Sequence, residues 1–461
     1  MKTQEFSIII IGSGQAGNPL AKAFAKSGKK VAIIEESEIG GCCINRGCTP
    51  TKTMIASGKI SYLAKNAQNF GINVKEVSTD LEKIIERKNH IVSSFRKSSE
   101  DALNLESNIE IFKGTAQFKD SHTIEITQEN NHKSLIHADF IFINTGATPT
   151  IPKIVGIDSI PYLTSTTIMD LTHLPQHLIV LGGGYIGLEF AQLFQRLGSK
   201  VTIIQRNAYL LPNEDIDVSE EIKTILEEEG LVIYCDAKTQ TISKVREKIK
   251  VTFLQGDKKI DLEGSHLLIA TGRKANIERL QLEKSGVLLN PKGFIEVNDK
   301  LETNVKNVYA LGDVKGGPAF THISYDDYRI VKANHIDGKN VSLLNRLVPY
   351  TVFSDPQVAG IGLNEKKAKE LKKKILIAKM PMSHVARAIE VGDTRGFIKV
   401  IIDAKTNEIL GCTIIGTEAG EIMSMIEIAM LGKLQYSVLQ NAIFAHPTYA
   451  EALNNLFNNL S

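Results

Sequence analysis

The sequence carries the pattern G-x-G-x-x-G twice, each time between an apolar strand-like run and a helical stretch. The first copy is Gly12-Ser13-Gly14-Gln15-Ala16-Gly17, after Ile8–Ile11 and before Leu20–Lys26. The second is Gly182-Gly183-Gly184-Tyr185-Ile186-Gly187, after Leu178–Leu181 and before a helical pattern ending at Leu197. An offset of 170 also relates Gly28 to Gly198, Val31 to Val201 and Ile34 to Ile204. In such a unit the first glycine makes a tight turn and the second lets backbone approach a pyrophosphate. The third lets helix and strand pack closely, and the helix N-terminus faces the phosphates. Ordinary glycine turns are the plainer reading of either copy alone. Agreement of both copies through strand, turn, helix and second strand outweighs it and predicts two dinucleotide sites.

The copies differ at the end of their second strand. Glu35 stands where a carboxylate would accept from ribose hydroxyls, and its counterpart is Gln205, followed by Arg206. A neutral residue beside an arginine suits a 2′-phosphate, so the second site is expected to take NADP(H) ahead of NAD(H). Each unit closes in a buried strand leading to Thr-Gly, at Thr145-Gly146 and Thr271-Gly272. Val308–Leu311 leads into Gly312-Asp313, where an acid can meet a cofactor hydroxyl.

At 461 residues the chain holds about three domains at ~150 residues each. The fold class is α/β: two Rossmann-like dinucleotide-binding domains plus a C-terminal α+β domain, with strands at 350–363 and 395–415 and helices at 364–373, 418–432 and 449–459. Expected boundaries are 1–148 for the first part of the first dinucleotide-binding domain, 149–270 for the second such domain, 271–338 for the second part of the first, and 339–461 for the C-terminal domain. A net charge of +2 gives no reason to expect nucleic acid or a membrane surface as partner. With no signal-like or membrane-spanning run, the protein is expected to be cytoplasmic.

Three of the five cysteines, Cys42, Cys43 and Cys48, crowd into Gly40–Lys52. Three fates compete: a redox dithiol, inert buried thiols, and a metal site, whose spacing matches no common zinc pattern. Residues five apart in a regular helix lie ~8–9 Å apart at Cα, beyond the reach of a disulfide, so pairing of Cys43 with Cys48 needs an irregular segment, which Gly47 permits. Thr49 and Pro50 read as N-cap and N1, placing Cys48 just outside a helix start. Cys235 and Cys412, in strand-like surroundings, are expected in the core.

Two dinucleotide units, a C-x4-C loop after the first, Gly-Asp after the second, and Phe444-Ala-His446-Pro447-Thr448-Tyr449-Ala450-Glu451 together resemble the class I pyridine nucleotide–disulfide oxidoreductases over essentially the whole chain. The resemblance implies a redox-active centre in a flavoprotein concerned with cell redox homeostasis. Electrons would pass from NADPH through FAD to a Cys43–Cys48 disulfide bond, and on to a small-molecule or protein disulfide. It gives Gly12, Gly14, Gly17, Glu35, Gly146 and Asp313 to FAD, and Gly182, Gly184, Gly187, Arg206 and Gly272 to cofactor binding around the nicotinamide nucleotide. Lys52 would lie by the flavin and pair with Glu189, and Tyr185 would gate the nicotinamide pocket. Cys48 would face the flavin and Cys43 the substrate. His446, oriented by Glu451, would act as acid–base in the partner subunit of a homodimer.

The wording around Asn45–Lys52, Ser354–Val358 and Arg395–Lys399 is similar to mercuric-reductase-like members, which makes a metal ion, Hg(II) or Cu(II), a competing acceptor. The last cysteine is Cys412, with no C-terminal cysteine pair, and His446 stands where those enzymes carry tyrosine, which favours a disulfide. A dihydrolipoamide dehydrogenase and a flavin redox sensor also remain open at this point.

Overall fold

The computed structural model describes residues 2–458 and 460. They divide into two compact units: Met1–Met54, Glu82–Thr150 and Gly272–Arg346 in the first; Ile55–Leu81, Ile151–Thr271 and Leu347–Ser461 in the second.

The first unit begins with strand β1 (Thr3–Ile11), helix α1 (Gly17–Lys26) and strand β2 (Val31–Glu35). It adds two helices, α2 (Gly41–Arg46) and α3 (Cys48–Lys65), of which α3 continues into the second unit. Helix α4 (Leu81–Asn104) and strands β3 (Ile109–Lys113), β4 (Thr115–Phe118), β5 (Thr123–Thr127) and β6 (Lys133–Ile143) follow. The sheet order is β3-β2-β1-β6-β5-β4, with Val308–Ala310 also on β6. β1 runs parallel to both β2 and β6, which explains why Ile8–Ile11 and Ile141–Ile143 are apolar without alternation: both faces are covered. On one face α1 buries Leu20, Ala21, Phe24 and Ala25, with Phe24 against Phe142 at 5.4 Å between ring centres. β4 and β5 add antiparallel to β6.

The second unit repeats the parallel arrangement in five strands, ordered Val232–Tyr234, Lys200–Ile204, His177–Leu181, His266–Ile269 and Leu163–Thr164. The helix Tyr185–Leu197 follows the second glycine turn. Two antiparallel sheets complete the unit. One has three strands over Ala237–Gly264, and the other has five, ordered Tyr350–Val352, Gln357–Gly362, Ile409–Gly416, Phe397–Asp403 and Ile375–Pro381. The five-stranded sheet packs on the helix Ala419–Leu431, and Ile398, Val400, Ile402, Ile414, Ile422 and Ile426 are buried in one core.

Several expectations are corrected. α3 starts at Cys48 itself, because the Gly47 carbonyl accepts both the N–H and the hydroxyl of Thr51. Cys43 lies inside the short α2, and the last helix covers only Ala452–Leu456. Cys412 is buried, but Cys235 is half-exposed just beyond a strand end. The three-stranded sheet is not apparent in the sequence, since its lysine-rich alternating strands lack the long apolar run that marks the parallel ones, and the short strand Ile375–Pro381 also goes unmarked. No helix among the described residues is long and apolar enough to cross a membrane.

Candidate active site

The first glycine turn and the cysteine segment are built against each other. Gly40 N–H donates to the Ser13 carbonyl at 3.2 Å and to Ser13 Oγ at 3.1 Å, and Gln15 Nε2 reaches the Gly40 carbonyl. A Cβ on Gly41 would lie 2.6 Å from Gly14 Cα, so here backbone rests on backbone. From α4, Arg96 donates to Asn45 Oδ1 at 2.8 Å and pairs with Glu38, which steadies the other end of α2. Gly47, between α2 and α3, is irregular (φ −132°, ψ −118°). That break removes the helical spacing that would have held Cys43 and Cys48 apart.

Cys43 and Cys48 are free cysteines, and their side chains meet across the break at Gly47. The neighbouring Cys48 side chain and burial push the Cys43 thiol up. Thr321 Oγ1, at the start of the helix Thr321–His335, lies 3.4 Å from Cys48 Sγ. Cys42 is exposed, 3.8 Å from Arg273 Nη2. The same guanidinium donates to the Ala147 carbonyl and stands 3.5 Å from Asp313. Burial pushes Asp313 above its ordinary 3.8, while Arg273 and Lys315 pull the other way. Gly312 N–H donates to the fully buried Asp327, which Arg346 and Lys315 also contact, so the Gly-Asp turn is rigidly held.

Glu35, at the end of β2, is buried and accepts from Ser13 N–H at 2.9 Å and from Ser37 N–H at 2.9 Å. Asn144 bridges the turn, accepting from Gly17 N–H and donating to the Leu311 carbonyl. Gly146 and Gly272 directly precede two paired strands, Ala147–Pro149 and Arg273–Ala275: Asn276 N–H donates to the Gly146 carbonyl and Thr150 N–H to that of Gly272.

In the second unit the turn at Gly182–Gly187 repeats this plan. Gln205 Oε1 accepts from Gly183 N–H at 3.2 Å, the same link that Glu35 makes to Ser13. A Cβ on Gly182 would meet the Ala270 carbonyl, as one on Gly12 would meet that of Asn144. Gly184 precedes the helix whose first residue is Tyr185, and Arg206 is exposed beside Gln205. Glu189, expected opposite Lys52, is buried and accepts from Phe353 N–H at 2.8 Å; Lys52 is the fifth residue of α3, in the first unit. His446 Nδ1 is 2.8 Å from Glu451 Oε2, and the imidazole is exposed. The structure thus joins His446 to Glu451, and groups Cys43, Cys48 and Asp313 in the unit that holds the first glycine turn.

Known proteins share this layout. Residues 6–327 match the family model of pyridine nucleotide-disulphide oxidoreductases, and residues 348–457 match that family's dimerisation domain. The chain belongs to this family. It is 38% identical to the probable pyridine nucleotide-disulfide oxidoreductase RclA of Escherichia coli strain K12, over 98% of this chain and 99% of that protein. It is 35% identical to a mercuric reductase of Lysinibacillus sphaericus, over 97% of this chain and 81% of the relative. A solved Cu(II) complex of the HOCl-induced flavoprotein disulfide reductase RclA from Escherichia coli superposes with a TM-score of 0.90 at 37% identity, covering 99% of each chain. As a member of this family the protein is an NAD(P)H-dependent flavoprotein oxidoreductase, and its flavin is FAD.

The residues fit that cofactor. A glycine turn opens onto the N-terminus of α1 for the pyrophosphate, a buried acid closes β2 for the ribose, and Asp313 presents a second acid in the same unit as the exposed Cys48 thiol.

Thr321, Asn144 and the site role of Arg273 are not evident from the sequence reading. Arg273 directly follows Thr271-Gly272, so its position was a usable signal. Nothing local marks Thr321, which meets Cys48 across 273 residues of chain.

Proposed function

We propose that the protein is an NADPH-dependent disulfide reductase that works as a homodimer, with Cys43 and Cys48 as its exchanging pair. The observation that carries this reading is the placing of the free thiols of Cys43 and Cys48 either side of the break at Gly47, in a segment resting directly on the first glycine turn.

When bound, FAD would be held by the first turn, Glu35 and Asp313, and would supply two-electron exchange between NADPH and the sulfur pair. The chain's own steps are these. Cys43 thiolate attacks a disulfide R–S–S–R, forming Cys43–S–S–R and releasing one thiolate. His446, with Nδ1 engaged by Glu451, supplies the proton to that thiolate from Nε2. Cys48 then attacks Cys43 sulfur, releases the second thiolate and closes the Cys43–Cys48 disulfide. Two electrons from NADPH reopen it. The exposure of the His446 imidazole supports its use toward a partner subunit, and the dimerisation domain supports the dimer. Gln205 and Arg206 support NADPH over NADH.

A second reading has its own support: Cys42 and Cys48 are both exposed beside Cys43, and relatives include mercuric reductases and a protein solved with Cu(II). In it the thiols bind Hg(II) or Cu(II) as substrate.

The deciding experiment follows oxidation of NADPH and NADH by the FAD-loaded protein with glutathione disulfide, lipoamide, Hg(II) and Cu(II) in turn. Disulfide turnover that Cys43→Ser abolishes supports the first reading. Turnover with metal ions alone replaces it with the second, and no Cys43-dependent turnover with any acceptor overturns both.

A further inference from the structure

The second glycine turn carries an arrangement that the steps above do not use. Tyr185 donates its hydroxyl to Glu214 Oε1 at 3.1 Å, and Tyr350 donates to Glu214 Oε2 at 2.5 Å. The two rings lie parallel, 5.5 Å apart and inclined by 10°. One buried carboxylate thus ties two stacked tyrosines.

The three side chains come from distant parts of the chain, and the backbone is shaped for each. Tyr185 opens the helix after Gly184. Glu214 sits in the loop ahead of the helix Ile216–Glu228, and that loop is fastened to the turn where Leu211 N–H donates to the Gly183 carbonyl at 3.0 Å. Glu214 N–H in turn donates to the Leu211 carbonyl at 2.9 Å. Tyr350 begins an edge strand and faces Gly360 across the ladder. A Cβ on Gly360 would stand 2.4 Å from the Tyr350 hydroxyl oxygen, so the absence of a side chain there makes room for the ring. Burial pushes Glu214 above its ordinary 4.5, and the two hydroxyl bonds pull it back. Burial and the Glu214 charge raise the Tyr185 hydroxyl, which therefore stays a donor at neutral pH.

We propose that Glu214 and Tyr350 are positioning residues that latch Tyr185 against the nicotinamide-nucleotide turn, so that nucleotide entry has to break the Tyr185–Glu214 hydrogen bond. This rests on the reading of Gly182–Gly187 as the nicotinamide site and of Tyr185 as its gate. A hydrogen bond to a carboxylate that must open on binding weakens affinity by about tenfold.

The test is the Kd for NADP+, by isothermal titration calorimetry on the FAD-loaded protein. Tyr185→Phe keeps the ring and removes the tie, and Glu214→Met removes the acceptor. Each should tighten binding by about tenfold, and the double variant should match the singles, because the Tyr185–Glu214 bond that holds the gate is lost in all three. Glu214→Gln, a weaker neutral partner, should fall between. A role confined to folding would shift melting temperature with Kd unchanged. If Glu214→Met does not fold, Tyr350→Phe keeps the stack, loosens Glu214, and should tighten Kd by a smaller factor. Unchanged or weaker binding in Tyr185→Phe and Tyr350→Phe overturns the latch while leaving the nucleotide site standing. A wild-type protein that binds neither NADP+ nor NAD+ overturns the nucleotide-site reading, and the latch with it.

Discussion

Replacing Gly41 by alanine should release the flavin, and the size of the effect follows from two separable terms. Gly41 has φ +66°, a left-handed conformation that disfavours a Cβ by about 1–2 kcal/mol. The added Cβ would also stand 2.6 Å from Gly14 Cα, and backbone on both sides leaves no flexible side chain to give way. Forced overpacking of this kind costs about 1–3 kcal/mol, so the total is about 2–5 kcal/mol. Gly28 isolates the first term: its φ is +83°, and a Cβ there would meet nothing within 4 Å. Gly28→Ala should therefore lose only about 1–2 kcal/mol. The assay is thermal release of FAD, read by the rise of flavin fluorescence, with bound flavin quantified at the start. Gly41→Ala should carry less flavin and release it at lower temperature than Gly28→Ala. Equal behaviour of the two variants would refute the claim that the cysteine segment is seated on the glycine turn by backbone contact.

Further outcomes are expected in the second unit. Lys399 is buried with Asp215, Asp217 and Glu365 around its Nζ at 2.7–2.8 Å, so Lys399→Met should destabilise that unit by about 3 kcal/mol, read in urea unfolding. Burial pushes Asp217 and Asp393 up, but hydrogen bonds from Lys379 and Lys399 to the first, and from Arg395 and Thr417 to the second, outweigh it and hold both below 3.8. Because these folded values are depressed, their stabilisation is complete above the unfolded value and disappears as pH falls through the folded values. Stability should thus drop below about pH 4, and Asp217→Asn should flatten that acid limb in a melting-temperature profile. Glu451→Gln should leave the fold intact and slow disulfide turnover by about 10²-fold or more, read as kcat with flavin content unchanged.

Much of the plan was legible in one dimension because its signals are local. A strand, a glycine turn, a helix and a second strand occupy about thirty consecutive residues, and their repetition in register announced two α/β units. His446 and Glu451 were readable for the same reason: five positions apart, they hydrogen-bond at 2.8 Å. The lysine-rich antiparallel strands were not readable, since their polar faces break the apolar pattern. The start of α3 was displaced because a backbone carbonyl, that of Gly47, makes the link that Thr49 was expected to make.

The sequence by itself determined the two glycine turns, the cysteine segment and the nearness of His446 to Glu451, because each is written within a few residues. Tertiary structure alone decided that Gly41 rests on Gly14, that Thr321 meets Cys48, and that Glu214 ties Tyr185 to Tyr350. These contacts join residues separated by as many as 273 positions. No periodicity or spacing encodes them, because they arise only when separate elements pack and bring their side chains within hydrogen-bond reach.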